Sequence, residues 1–429
     1  MYAKWKEFCL FVCMSICCFC PRGVISTKSF RIDSEESLLL HHTSQDSVDS
    51  EEHSDPTTHI FKEYAAGLSS RTDLVKKERV VHDHIHEVVF AVQQKNVPEL
   101  TRMLHEVSDP DSHRYGQHRS RIEIEEIASN PTSRNYVLQY LQDSGATIIS
   151  ESIFGEYITA QAPVSLWEKM FKTEFYKFHH TSEERKNVVE LVRAEMYSVP
   201  STLHEHVASV FQTIQMTQTT WGRPILHRLK NSTSVVQSHA VLGSIQPKKL
   251  HVYYSMDNNT GNSLSSQAVF QSLNQFVSPR DLTLFQTAFQ LPKQGVTTFI
   301  GGGNDDFICT IFPETCAEGN LDMQYLMAIS QGVPTTNWYT DFSDFSNWLL
   351  AVANKVNPPL VISLSYGTAE SFVSASEFDA FNLQAIKLGL MGVTILVSSG
   401  GTSRVMLLGS CFTAHVFFHD FNYSIATFR

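Results

Sequence analysis

Apolar and polar positions first fall into a regular rhythm at Glu87–Gln94. There Val88, Phe90 and Val92 share one face of an alternating stretch, the mark of a half-buried strand. From Pro98 the rhythm lengthens, and Leu100, Met103, Leu104 and Val107 keep the i, i+3, i+4, i+7 spacing of an amphipathic helix. A second helix is predicted from Asn130 as cap and Pro131 as first helical residue, through Val137, Leu138 and Leu141, to Gly145 at its end. Strands are predicted over 146–150 and 156–162, a short helix over 164–171 and a strand over 174–178. Strand, helices, strand, strand, helix, strand is the split βαβ order of a ferredoxin-like α/β sandwich, assigned to residues 77–213. That fold often binds RNA, but no paired aromatics sit on a basic strand here.

A polar, irregular stretch over 214–247 is assigned as a linker exposed to activating cleavage. Beyond it helices are predicted over 265–276, 278–289, 342–353 and 376–390, and strands over 296–300, 360–365 and 393–397. Apolar strands alternating with helices predict a parallel sheet covered on both faces, spanning 248–400. Sites in such sheets lie past the carboxyl ends of the strands, where Ser365, Tyr366 and Gly367 fall. Neither period persists over 401–429, which reads as an atypical tail.

The 429 residues allow two or three domains, and 42% hydrophobic content supports sizeable cores. A formal charge of −11 argues against nucleic-acid or anionic-membrane partners. Residues 1–25 resemble a secretory signal: Lys4 and Lys6 precede an apolar run from Phe8 to Cys20 that is too short to span a bilayer. No membrane span is expected once it is removed. Residues 26–76 are acidic and serine-rich, the composition of a flexible arm. Five of the eight cysteines lie in the signal. Of the others, Cys309 and Cys316 either close a local disulfide, as an oxidising compartment permits, or stay as buried thiols. Asn231, Asn258 and Asn422 head glycosylation sequons. No His or Cys spacing of metal type occurs, and the 19 histidines would add positive charge in an acidic compartment.

The chemistry concentrates in one helix. Glu318 and Asp322 open a run whose Leu321, Tyr325, Leu326 and Ile329 form one apolar side, with Met323, Met327 and Ala328 over much of the rest. Such a helix belongs in a core. Two acids at i and i+4 share a face, with Cβ atoms roughly 6 Å apart. They either serve the positive helix N-terminus or share a proton, and a shared proton makes carboxylates into acid/base groups.

Glu318-x-x-x-Asp322 followed by Met323 to Met327 resembles the catalytic helix of the sedolisins, the serine-carboxyl peptidases. The segments Phe345–Leu349, Val361–Gly367 and Gly392–Gly400 follow in that family's order. Upstream, Phe90–Val97, Ser108–Pro110, Tyr115-Gly116 and the helix ending at Gly145 look like its kumamolisin-type activation domain. The resemblance, over roughly Glu87 to Gly400, implies an activation domain at 77–213 that inhibits intramolecularly. It also implies the first part of a subtilisin-like peptidase domain at 248–400. Glu318 matches the general base, Asp322 its carboxylate partner, and Ser365, Tyr366 and Gly367 the strand end along which the substrate backbone lies. The family places an oxyanion-donating Asp where this chain has Gly401, and its nucleophile beyond Arg429. Ser403, in Gly401-Thr402-Ser403, imitates the nucleophile context but directly follows the strand that normally carries the oxyanion Asp. No nucleophile is therefore assigned, and the chain is expected to be incomplete and inactive. The calcium that the family implies is expected to bind in the same missing segment. The expected whole is the precursor of an acid peptidase acting on peptides or proteins, as a tripeptidyl-peptidase or an endopeptidase, secreted or lysosomal. The alternative is a non-catalytic product whose activation domain binds, inhibits or chaperones a complete peptidase.

Overall fold

A computed structural model describes residues 58–180, 190–216, 245–256, 261–340, 345–367, 372–398, 405–407 and 410–412. The signal (1–25), most of the linker, the three sequon asparagines, Gly401 and Ser403 lie outside the described residues.

The N-terminal unit contains strands β1 (His59–Tyr64), β2 (Leu74–Arg79), β3 (Ile85–Val92), β4 (Thr147–Glu151), β5 (Tyr157–Pro163), β6 (Tyr176–His180), β7 (Glu190–Arg193), β8 (Met196–Pro200) and β9 (Val207–Phe211). Its helices are α1 (Val97–Ser108), α2 (Arg121–Ala128), α3 (Pro131–Asp143) and α4 (Val164–Phe171). The central sheet runs β4-β5-β3-β9 with antiparallel pairing throughout, the strand order of a ferredoxin-like sandwich. Alternation explains its two faces. Val88, Phe90 and Val92 point into a core with Val137 and Leu141 of α3 and Trp167 and Phe171 of α4, while Val89 and Ala91 point the other way.

Two expectations need correction here. The flexible arm expected over 26–76 overlaps β1, which pairs with β8, and β2, which pairs with β6, so residues from His59 on belong to the sheets. Neither strand buries a clean alternating face, and only their distant partners reveal them. The loop expected between the first two helices also contains α2, which opens on a capping box between Ser120 and Glu123.

The second unit has helices α5 (Pro247–Tyr253), α6 (Pro279–Ala288), α7 (Asp306–Ile311), α8 (Ala317–Ile329), α9 (Phe345–Ala353) and α10 (Ala375–Leu390). Its strands are β10 (Gln267–Gln271), β11 (Thr298–Ile300), β12 (Thr335–Tyr339), β13 (Val361–Leu364) and β14 (Thr394–Val397). These five form one parallel sheet in the order β11-β12-β10-β13-β14. Val269 packs with Leu282 of α6 and Met323 and Met327 of α8, whereas Ala268, Phe270, Ile362 and Leu364 pack under α9 and α10. The helix expected over 265–276 is instead β10. It is the central strand, and all five of its residues are buried, so covering both faces erased the alternation that marks a strand.

The two units meet on α10. Ile386 and Leu390 of α10 pack with Leu100, Met103, Leu104 and Val107 of α1 and with Ile124 and Ala128 of α2, while Ala380 meets Val89 and Ala91. Within this contact Lys387 is fully buried, and its Nζ donates to Glu125 (2.8 Å), Gln94 (3.1 Å) and Glu156. Arg121 also bridges Glu125 at 3.0 Å and Glu156 at 2.8 Å. Burial alone would raise the pKa of Glu156, but Lys387 and Arg121 outweigh it and hold it down. Burial and the charge of Glu156 push Glu125 up.

Candidate active site

Helix α8 enters the core directly beneath the carboxyl end of β10. Gly319 makes the close approach possible, since a Cβ there would lie 2.4 Å from the carbonyl oxygen of Phe276. The approach carries Asp322 to a position where only 7% of the residue is exposed. Its Oδ1 accepts from the Ser365 hydroxyl at 3.0 Å, and its Oδ2 faces the Gln271 side-chain amide at 3.4 Å. The Glu318 backbone N–H, an orphan donor of the first helical turn, donates to Gln275 Oε1 at 3.1 Å. Asn320 ties the same turn to the neighbouring segment, accepting from the Ser278 N–H at 2.8 Å and donating to Asp281 at 3.0 Å.

Electrostatics follow from this burial. Glu318 is pushed up to about 7 because water is excluded from it. Asp322 is pushed well above the usual carboxylate range by burial and then by the charge of Glu318, against the pull of the Ser365 and Gln271 hydrogen bonds. The two acids therefore retain a proton where exposed carboxylates have lost theirs, which is the condition for acid/base work near the reference value of His.

Of the residues singled out from sequence, the structure brings Glu318, Asp322 and Ser365 together. The Tyr366 side chain is buried in the core under the sheet end, and its hydroxyl donates to Gln271 Oε1 at 2.7 Å. Gly367 follows at the end of β13, half-buried. Cys309 and Cys316 form a disulfide with Cα atoms 5.5 Å apart, joining α7 to the turn that caps α8. Sequence reasoning missed Gln271, Gln275 and Asn320. Neutral amides carry no charge pattern, and the two glutamines belong to a segment taken for a helix.

Among the described residues no group of three or more His, Cys, Asp or Glu side chains is placed to hold a metal. No step below involves the calcium implied by the resemblance. No helix among them is long and apolar enough to cross a membrane.

Residues 72–216 match the family model of the pro-kumamolisin activation domain. The chain is 25% identical over 358 residues to Tripeptidyl-peptidase 1 of Dictyostelium discoideum, covering 73% of this chain and 56% of that protein. It is 26% identical over 350 residues to Physarolisin of Physarum polycephalum, covering 77% and 56% respectively. With Tripeptidyl-peptidase 1 of Homo sapiens it shares 25% identity over 323 residues, covering 73% and 55%. The chain thus spans a little over half the length of the curated relatives it matches.

Proposed function

We propose that this chain, a relative of the sedolisins carrying their pro-kumamolisin activation domain, is the precursor region of a serine-carboxyl peptidase that cleaves peptide bonds in an acidic secretory compartment. The observation that carries the reading is the buried Glu318–Asp322 pair at the end of a parallel sheet, docked against that domain. In this reading Glu318 in its ionised form, the minor form at acid pH given its raised pKa, accepts the proton of a serine hydroxyl as the serine oxygen adds to the scissile carbonyl, and returns it to the departing amine as the C–N bond breaks, while Asp322 holds the base. The Cys309–Cys316 disulfide supports the oxidising compartment. The docked contact around Lys387 also favours a second reading, in which the N-terminal unit recognises the same helix face on a separate, complete peptidase.

Catalysis is tested in the longest product of the gene. Glu318→Gln is expected to abolish hydrolysis of a fluorogenic peptide at acid pH while leaving the precursor folded; retained activity sinks the assignment. The 429-residue chain alone is expected to be inert from acid to neutral pH. Hydrolysis that vanishes in Ser403→Ala would place the nucleophile at Ser403.

A further inference from the structure

The first turns of α8 are held by one short segment. Residues 271–278, between β10 and α6, reach Glu318 through Gln275, Gly319 through the Phe276 carbonyl, Asn320 through the Ser278 N–H and Asp322 through Gln271. The segment turns through Leu273 and Asn274 at φ 54° and 58°, a left-handed pair uncommon for residues with a Cβ and concentrated where a site demands it. Phe276 adds a backbone bond to Thr315, beside the disulfide.

What the segment offers the acids is neutral. Burial raises the proton affinity of both, the charge of Glu318 adds to it at Asp322, and there the Ser365 hydroxyl and the Gln271 amide oppose it. Other titratable groups on the packed elements are engaged elsewhere or peripheral. Asp281 of α6 accepts from Asn320, and Asp306 of α7 accepts from the Ser278 hydroxyl and the Arg280 backbone N–H. On α5, which also carries Lys248 and Lys249, His251 meets the far end of α8 at the Ala328 carbonyl. From the sheet come Tyr339 and Tyr366.

An amide can present either its oxygen or its nitrogen, and Tyr366 decides which. Its buried hydroxyl donates to Gln271 Oε1 at 2.7 Å and makes a longer contact of 3.4 Å to the Ser272 carbonyl, so Nε2 is the end turned to Asp322. We propose that Gln271, its amide oriented by Tyr366, is the positioning residue that fixes the Asp322 carboxyl and holds down the proton affinity of the acid pair. This rests on the reading of Glu318 and Asp322 as an acid/base pair. A donor to an ionised carboxylate favours the charged form, so removing or misdirecting it makes the pair bind its proton more tightly.

The test is an infrared titration of the protonated-carboxyl band in the full 429-residue chain, with Glu318→Gln and Asp322→Asn assigning the signal. Tyr366→Phe and Gln271→Met are expected to move the midpoint up by about one pH unit, a roughly tenfold tighter proton. A midpoint that stays put while the melting temperature falls shows ordinary packing and overturns the proposal. Should Gln271→Met fail to fold, Tyr366→Phe, which removes one oxygen, carries the test alone. No peptide hydrolysis is needed for this readout. An unmoved midpoint sinks the Gln271 role and leaves the peptidase reading standing, whereas activity retained in Glu318→Gln sinks the peptidase reading and leaves the titration intact.

Discussion

Glu318 makes folding depend on pH, and the sign is fixed by its surroundings. Its folded pKa of about 7 lies above the ordinary 4.5, so the folded chain binds the proton more tightly than the unfolded one. The stabilisation is whole below about 4.5 and is lost as pH rises to about 7, an effect on the order of 2–3 kcal/mol. Thermal unfolding at pH 5 and pH 8 is expected to show a drop in melting temperature that Glu318→Gln largely removes; equal drops in both proteins would refute it. His86 acts in the opposite sense. Its ring, buried beside the Gln212 carbonyl, is pushed down to about 4, so acid costs the N-terminal unit stability as pH falls from 6.5 towards 4. At this scale the sequence was legible where charge made a pattern. The i, i+4 acids announced themselves, while Gln271, 51 residues before Asp322, had no local signal at all.

Elements were legible in proportion to how one-sided their burial is. Helix α1, with its four buried apolar residues on one stripe, and strand β3, half in and half out of the first core, followed from periodicity. Buried on both faces, β10 did not, and neither did β1 and β2, whose pairing is non-local. Helix α8 lies between these cases, since its composition placed it in a core but not how closely it would approach. Gly319→Ala separates two competing effects. Alanine favours a helix interior by about 1 kcal/mol, yet its Cβ would sit 2.4 Å from a backbone oxygen that cannot swing aside. The clash should win, giving a net destabilisation of roughly 1–3 kcal/mol in urea unfolding. A stabilised variant would mean that α8 does not press on Phe276 as described.

Across the whole molecule the domain order was readable, because each half carries its own period, but the contact between the halves was not. Lys387 sits in a helix whose pattern gives no hint that its ammonium will be enclosed by carboxylates from Glu125 and Glu156. Removing one partner of such a cluster leaves like charges buried together. Lys387→Met is therefore expected to destabilise the chain by about 3–5 kcal/mol, and adding Glu125→Gln, which leaves Glu156 paired with Arg121, to recover part of it. Unfolding curves decide: a single-variant loss under about 1 kcal/mol would mean the cluster contributes little to docking.

The same lysine fixes an order of assembly during synthesis. Glu156 precedes Lys387 by 231 residues, so the carboxylates and Arg121 of the cluster are all synthesised before the lysine that joins them. Until then the apolar stripe of α1 and α2 has no cover, and closing so long a loop is a late, entropically opposed event. Once made, α10 arrives as a helix whose inner face cannot be dry without those partners. The first half of the chain is thus a mould for the second, filled in the direction of translation.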